Sequence, residues 1–319
     1  MKDERKLIVI ALGGNAIKQP DEDGTSDNQF KNIGLTCDQL VKMNKLGYKL
    51  VLTHGNGPQA GNLLIQQEEG KLLVPSMPLD VIDAMTQGEI GYMFQNQLQN
   101  AFLRDGREIP IATLITQVLV DKDDPDFDNP TKPVGPFYTE KEARELHQTK
   151  GYIIKKVKNN VEKGWRRVVP SPEPIGLVED ETIKVLLDAH VIVITSGGGG
   201  IPVIKQANGQ LIGIEAVVDK DKAGQKLAEI VKGDIFLVLT DVEQAYLNYN
   251  KSNQQSINTI TVDKAEEYLK DGQFAKGSMA PKIEACIRFV NAGGEKAIIT
   301  SLDNAIDALQ GRTGTVICK

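Results

Sequence analysis

Short apolar runs punctuate the chain, and several of them stop at glycine. Leu7-Ile-Val-Ile-Ala-Leu12 leads into Gly13-Gly14-Asn15, and Tyr48-Lys-Leu-Val-Leu-Thr53 leads into His54-Gly55-Asn56-Gly57-Pro58. Val191-Ile-Val-Ile-Thr195 leads into Ser196 and the four glycines Gly197 to Gly200. Ile111-Ala-Thr-Leu-Ile115, Ile235-Phe-Leu-Val-Leu239 and Ala297-Ile-Ile-Thr300 have the same apolar character. Runs without a polar face predict parallel strands covered on both sides. Between them, apolar positions fall at helical spacing: Cys37, Leu40, Val41 and Leu46 before a stop at Gly47, and a long stretch over 79–104. Ala223, Leu227, Ile230 and Val231 predict a helix beginning near Asp219, and a last helix is predicted after Gly277-Ser278. Asn208-Gly209 predicts a hairpin, because Asn-Gly favours the positive φ of a tight turn. Strand, loop and helix repeated in this order specify an α/β fold with a parallel sheet.

Residues 121–176 break that rhythm. Asp121 to Asp128 is acidic and turn-rich, and eight prolines fall between Pro110 and Pro174. Glu140–His147 has helical character and Tyr152–Val157 is strand-like. The segment is expected to leave the sheet and return to it, as a lid or as a solvated excursion.

Composition narrows the class. The chain has 319 residues, 40% hydrophobic and 25% charged, which describes an ordinary globular protein able to bury a core without staples. A formal net charge of −6 argues against nucleic acid as the main partner. The three cysteines (Cys37, Cys286, Cys318) form no C-x-x-C pair and fit a reducing cytoplasm. No apolar run is long enough to cross a membrane, and three scattered histidines form no H-E-x-x-H zinc motif. Thirty glycines exceed the usual proportion of about 7%.

The glycine clusters point to an anion. Glycine lets backbone N–H groups approach a phosphate, and a following helix N-terminus adds partial positive charge. Ligands of open α/β sheets sit beyond the carboxyl ends of strands, where these clusters are predicted. There is no G-x-x-x-x-G-K-[ST] P-loop. Gly55-x-Gly57-x-x-Ala60 formally matches a dinucleotide fingerprint, but the chain then enters Pro75, Pro78 and a long helix instead of a second strand ending in an acid.

Phosphoryl transfer needs positioned cations more than covalent chemistry. Asp219-Lys220-Asp221-Lys222 places charges at a strand–helix junction, with Asp221 able to hold lysine heads. In Gly277-Ser-Met-Ala-Pro-Lys282, Ser278 is a natural N-cap and Lys282 lies at the positive end of a helix, where a bound phosphate would make a cation favourable. Asp241 is placed to meet a nucleotide or its Mg²⁺, and Lys132 is a cation on the proline-rich insertion. His54 is either a general base or a turn or packing residue.

At these residues the chain resembles the amino-acid-kinase family and, within it, the carbamate kinase branch. The matching segments are Ala11-Leu-Gly-Gly-Asn-Ala16, His54-Gly-Asn-Gly-Pro-Gln59, Lys132-Pro-Val-Gly-Pro-Phe-Tyr138 and Val169-Pro-Ser-Pro172. They continue through Gly197-Gly-Gly-Gly-Ile-Pro202, Ala216 to Asp221, Leu239-Thr-Asp-Val242, Gly277-Ser-Met-Ala-Pro-Lys282 and Gly311-Arg-Thr-Gly-Thr315. Asn15, where relatives usually carry lysine, and the insertion holding Lys132 favour this branch over others. Departures are Lys222, where an apolar residue is expected, and Ala60 in place of valine.

The resemblance implies a three-layer αβα sandwich, an eight-stranded, mainly parallel sheet and a small protruding subdomain. It implies one domain over 1–319, with an N-lobe over 1–218 that includes a lid at 121–170, and a C-lobe over 219–319. The implied reaction is reversible transfer between ATP plus carbamate and ADP plus carbamoyl phosphate, with Mg²⁺ carried by the nucleotide, in a cytoplasmic homodimer. By position, Lys132, Lys220, Asp221 and Lys282 would be catalytic. Gly13, Gly14, Asn15, Gly55, Asn56, Gly57, Gly197 and Gly198 would hold the carbamate side. Lys220, Thr240, Asp241, Val242, Tyr246, Gly277, Ser278, Met279 and Lys282 would line the nucleotide side. The direction is expected to run toward ATP in arginine and carbamoyl phosphate catabolism. Another small-acid kinase of the same fold, or a catalytically silent nucleotide-binding regulator, are the alternatives.

Overall fold

The apolar runs form the centre of one large sheet. The computed structural model describes residues 4–19 and 21–319, so residues 1–3 of the expected domain and Pro20 lie outside the described residues. The eight strands follow the order Thr259–Thr261, Thr315–Cys318, Lys296–Ser301, Ile235–Thr240, Leu7–Leu12, Lys49–His54, Ile192–Ile194, Ile111–Thr113. The six strands from Lys296–Ser301 to Ile111–Thr113 are mutually parallel. Thr315–Cys318 runs antiparallel to Lys296–Ser301, and Thr259–Thr261 pairs parallel with it. These two strands at one end of the sheet are short and half polar, which is why the apolar pattern missed them.

Nine helices accompany the sheets among the described residues: α1 (Ser26–Lys45), α2 (Gly57–Gly70), α3 (Leu79–Arg104), α4 (Glu140–Lys150), α5 (Asp180–Asp188), α6 (Lys220–Ile230), α7 (Val262–Lys270), α8 (Met279–Asn291) and α9 (Ala305–Leu309). Leu7–Leu12 shows why the central strands carry no polar face. Ile8, Ile10 and Leu12 pack in one cluster with Leu40 of α1 and Phe94 of α3, while Leu7, Val9 and Ala11 pack in another with Leu227 of α6 and Phe289 of α8. Alternate side chains of a strand point to opposite faces, and here each face is covered by helices. Full burial of each such Leu, Ile or Phe contributes roughly 1.5–3 kcal/mol.

The α1 helix begins ten residues before its apolar spacing becomes evident. Thr25 caps it, accepting from the Asn28 amide, and its first half buries polar side chains: Gln29, Asn32 and Thr36. Asn32 donates to the Ile17 carbonyl and Thr36 to the Ala16 carbonyl, so these polar groups tie α1 to the loop after the first strand. A buried face made of Gln, Asn and Thr does not register as hydrophobic periodicity.

A second sheet carries the insertion. Its order is Leu211–Gly213, Ile201–Lys205, Gln117–Val120, Pro174–Leu177. The predicted hairpin is there, with Gly209 at φ +86° between Ile201–Lys205 and Leu211–Gly213. The chain leaves along Gln117–Val120 and returns along its antiparallel neighbour Pro174–Leu177. Between these strands lie α4 and a three-stranded antiparallel sheet ordered Lys132–Tyr138, Trp165–Val169, Ile154–Lys156. Val134 and Val169 of this subdomain pack on Leu79, with Leu64 and Val217 alongside, which seats it against α2 and α3.

Candidate active site

Loops following the central strands meet under the protruding subdomain and enclose two adjoining cavities. The first, about 430 Å³, is walled by Gly14, Gly55, Asn56, Gly57, Gly198, Lys132 and the start of α6. The second, about 720 Å³, is walled by Gly13, Gly14, Asn15, Leu239, Thr240 and Asp241. Lys220, Gly277, Ser278 and Lys282 face both. A smaller recess of about 140 Å³ adjoins them, lined by Thr240, Asp241, Val242, Tyr246, Ser278, Met279 and Lys282.

One buried carboxylate organises the junction. Asp221 Oδ1 accepts from Lys220 Nζ at 2.7 Å, and its Oδ2 accepts from Lys282 Nζ at 2.9 Å. The three side chains are only 6%, 20% and 13% exposed, respectively. Burial pushes the Asp221 carboxyl up, but Lys220 and Lys282 outweigh it and hold the pKa below the ordinary value. Burial lowers the pKa of Lys220; Asp221 opposes this and Lys282 adds to it. Asp221 thus holds two lysine heads together and opposes the burial that disfavours charge on Lys220. Gly55 has a part in this, since a Cβ there would sit 3.2 Å from Lys220 Cδ.

Asp219 performs a second double duty. Its Oδ1 accepts from the Asp221 amide at 2.9 Å and caps α6. Its Oδ2 accepts from Lys132 Nζ at 2.9 Å, holding the subdomain's lysine over the cavity. Burial opposes ionisation, yet Lys132 and the capped amide pull the carboxyl down to about 2. Within this cluster, three lysines and two aspartates leave one net positive charge.

The other expected residues sort themselves by geometry. Gly13 and Asn15 open onto the second cavity and not the first, because Gly13 N bonds the Leu239 carbonyl and Gly14–Ala16 then forms a 3₁₀ turn. Gly197 lines neither cavity: a Cβ there would lie 2.4 Å from His54 Nε2, so its role is close packing. Gly198 does line the first cavity, at φ +68°, and a Cβ there would strike Asn56 Nδ2 at 2.3 Å. Ser278 precedes α8, but its hydroxyl caps nothing, because its backbone (φ −139°, ψ −70°) departs from the extended shape of a capping residue. The charge at that helix start is met by Asp221 instead.

His54 is 2% exposed, stacks on Phe94 with ring centroids 6.0 Å apart, and bonds the Gly55 carbonyl through Nδ1. Burial depresses its pKa to about 4, so it is neutral at neutral pH and too weak a base for general-base work. It is a packing residue. Lys222 pairs with Glu173, which also accepts from Arg288, and stands clear of the Asp221 cluster.

Three residues of the site have no role of their own assigned from the sequence. Asp219 is one. Arg166, on the strand Trp165–Val169, lines the first cavity while donating to the Gly135 carbonyl at 2.8 and 3.1 Å. Asp83 lines the same cavity from α3. An Arg in a basic pair and an Asp on a long helix both read as solvated charges, so neither carries a sequence signal. Among the described residues, no cluster of three His, Cys, Asp or Glu side chains converges as a metal site, and no helix is long and apolar enough to cross a membrane.

Comparison with known proteins shows the family. The profile of the amino acid kinase family matches residues 6–301. A carbamate kinase from Thermococcus kodakarensis is 51% identical over 317 residues, covering 98% of this chain and 99% of that protein. One from Pyrococcus horikoshii is 49% identical, covering 97% and 98%. A solved carbamate kinase from Giardia lamblia bound to AMP-PNP superposes with a TM-score of 0.94 at 44% identity, covering 99% of each chain.

Proposed function

The chain belongs to the amino acid kinase family and, within it, to the carbamate kinases, and from that premise we propose how its two cavities divide one phosphoryl transfer. It is a phosphotransferase. The first cavity takes carbamate or carbamoyl phosphate against Gly14, Gly55, Asn56, Gly57 and Gly198. The second, with its recess at Thr240, Asp241, Val242, Tyr246 and Met279, takes the nucleotide. The observation that carries this division is the pair of ammonium groups on Asp221, which face both cavities at their junction.

In the forward direction a carbamate oxygen attacks the γ-phosphorus, that P–O bond forms, and the bond from phosphorus to the ADP oxygen breaks. Charge spreads over the three equatorial oxygens of the moving group, which must be met by preorganised cations. Lys220 and Lys282 meet it from the junction, held by Asp221. Lys132 approaches from the subdomain, oriented by Asp219. Bound Mg²⁺ would neutralise the nucleotide's phosphate oxygens, and one carboxylate suffices for an ion that keeps most of its shell as phosphate and water. Asp241, on the walls of both nucleotide-side spaces and bonded to the Thr240 hydroxyl at 3.0 Å, is the carboxylate placed for it.

The division into two lobes is proposed at 218/219, where α6 begins at Lys220 and carries Asp221, the carboxylate that holds Lys220 and Lys282. Closure of residues 121–170 over the first cavity excludes water, which protects both carbamate and the transferring group. Free, buried Cys37 and Cys286 suit a reducing cytoplasm. Exposed apolar side chains concentrate between residues 65 and 92, including Leu72, Leu73, Val74, Met77 and Tyr92, and support a homodimer; sedimentation showing a monomer at micromolar concentration would rule it out.

The test is ATP formation from carbamoyl phosphate, ADP and Mg²⁺. Because carbamate is unstable in water, this is the direction to measure, and it is the direction proposed for the cell. Turnover with carbamoyl phosphate well above that with acetyl phosphate is expected. Folded protein with no turnover above background would overturn the reading in favour of a silent regulator, and preference for acetyl phosphate would favour another small-acid kinase.

A further inference from the structure

An ion cluster outside the cavities joins the two helices that carry the lysine pair. Glu173 stands at the end of the insertion, just before the strand Pro174–Leu177. Its Oε1 accepts from Lys222 Nζ, in the first turn of α6. Its Oε2 accepts from Arg288 Nη1, in the last turn of α8, at 2.8 Å. Lys222 stands where an apolar residue is expected, and the phosphoryl transfer makes no direct use of its charge. The side chains of Lys222, Glu173 and Arg288 are 25%, 44% and 45% exposed. Ion pairs so exposed contribute little to stability, so the cluster calls for another reason.

The backbone of Glu173 is held as well. Asp124 Oδ2 accepts from the Glu173 amide at 2.9 Å, while its Oδ1 accepts from the Asp126 amide at 2.8 Å and caps the 3₁₀ turn Pro125–Phe127. Asp126 Oδ2 accepts from the Ser171 amide at 3.3 Å. Phe127 packs on the core cluster that contains Leu227 of α6 and Ile283 and Phe289 of α8. The acidic turn thus mounts Glu173 against the same two helices that its side chain joins.

These contacts attach α8 to α6 at two points. Lys282 bonds Asp221 directly, and Arg288, six residues further on, reaches Lys222 through Glu173. Six residues of α-helix rise about 9 Å. Apolar packing between the helices is non-directional and tolerates small slides, whereas two polar attachments so spaced fix the direction of α8. On the α6 side, Asp219 bonds Lys132 and Lys222 bonds Glu173, so ion pairs to the insertion flank Lys220 and Asp221 on both sides.

We propose that Glu173 is a positioning residue: through Lys222 and Arg288 it holds α8 at a fixed angle to α6, so that Lys282 and Lys220 meet on Asp221 at the junction of the cavities. The proposal rests on that lysine pair being where the phosphoryl group passes. A misplacement of about 1 Å caused by a distant change can slow a preorganised reaction about 10²-fold. Asp221 still holds Lys282 when Glu173 is lost, so a smaller fall, about 5- to 30-fold, is expected.

The test is ATP formation by the full-length enzyme from carbamoyl phosphate, ADP and Mg²⁺, with thermal unfolding alongside. Glu173→Gln should lower kcat about 5- to 30-fold and leave KM for ADP and for carbamoyl phosphate within about threefold. Its Tm should stay within about 4 °C of wild type, as befits exposed ion pairs. Glu173→Asp, which keeps the charge, should recover to within about threefold of wild type, and Lys222→Met should lose at least about threefold in kcat. The double variant Glu173→Gln with Lys222→Met has the net charge of wild type. If Glu173 fixes geometry, the double variant stays within about twofold of Glu173→Gln; if Glu173 acts only through its charge on the site, the double variant regains activity. That recovery would overturn the proposal. So would a Glu173→Gln kcat within about twofold of wild type, a Glu173→Asp no faster than Glu173→Gln, or losses in the two single variants that multiply in the double. Wild-type inactivity would instead strike the functional reading on which the proposal rests.

Discussion

Replacing Asp221 by asparagine keeps the shape of the junction and removes the charge that holds it together. At an effective dielectric near 20, contacts of 2.7 and 2.9 Å each represent about 6 kcal/mol of attraction before desolvation is counted. Most of that is offset by the cost of burying the charges, but removing one partner leaves the others uncompensated, typically at about 3–5 kcal/mol. The amide still accepts one hydrogen bond, so a stability loss near the lower end, about 3 kcal/mol, is expected. Lys220 is the group that gives way. Burial and Lys282 both lower its pKa, and without Asp221 the largest opposing influence is gone. Its pKa falls further, the charged form is disfavoured, and kcat falls by about 10²–10³-fold as one preorganised charge contact is weakened. Because protonation can restore that charge, the variant should regain activity toward acid pH and lose it toward alkaline pH more steeply than wild type. The assay is initial ATP formation at saturating carbamoyl phosphate and ADP from pH 6 to 9, with urea unfolding alongside. A kcat within threefold of wild type, or superimposable pH profiles, would refute the role given to Asp221.

The remaining predictions concern the lid, the glycine turn and the buried histidine. Lys132→Ala should lower kcat about 10- to 100-fold while ADP affinity, measured by calorimetry, stays within about threefold; an equal loss in ADP affinity would place the lysine on the wrong cavity. Gly198→Ala combines a left-handed backbone with a clash on Asn56 Nδ2, so it should cost at least about 1 kcal/mol and raise KM for carbamoyl phosphate; a variant with wild-type KM would show that Asn56 does not face the substrate. His54 stays neutral in the folded state down to about pH 4, whereas the unfolded chain protonates it near 6.5. The unfolded state binds more protons in that window, so stability falls there by up to about 3 kcal/mol as pH drops. His54→Gln should remove this part of the acid sensitivity in denaturant titrations at pH 7 and 4.5, and an unchanged pH slope would count against the buried neutral ring.

The central strands were legible because burial on both faces leaves no polar position to interrupt them, as in Leu7–Leu12. The glycine loops and the Asp219–Lys222 junction were legible for a related reason: they stand at strand ends, where local sequence and local geometry coincide. Asp221 holding Lys220 needs one step along the chain, and a reader of the sequence can see it. Asp221 holding Lys282, or Asp219 holding Lys132, spans 61 or 87 residues and arises only when the sheet brings α8 and the subdomain to α6. Asp83 was hidden more completely, since only the packing of α3 against the Asn56 turn makes its burial evident. Gly197 erred the other way. Its place in a run of four glycines suggested an anion cradle, but the His54 ring occupies the space a Cβ would need.

The central claim is that lysines preorganised at the junction of the two cavities carry the moving phosphoryl group. Its most direct measurement is kcat for ATP formation by Lys282→Ala at saturating carbamoyl phosphate, ADP and Mg²⁺, on protein whose unfolding curve shows it folded. The expected fall is at least about 10²-fold, the loss usual for one preorganised charge contact. Turnover near that of wild type would contradict the account.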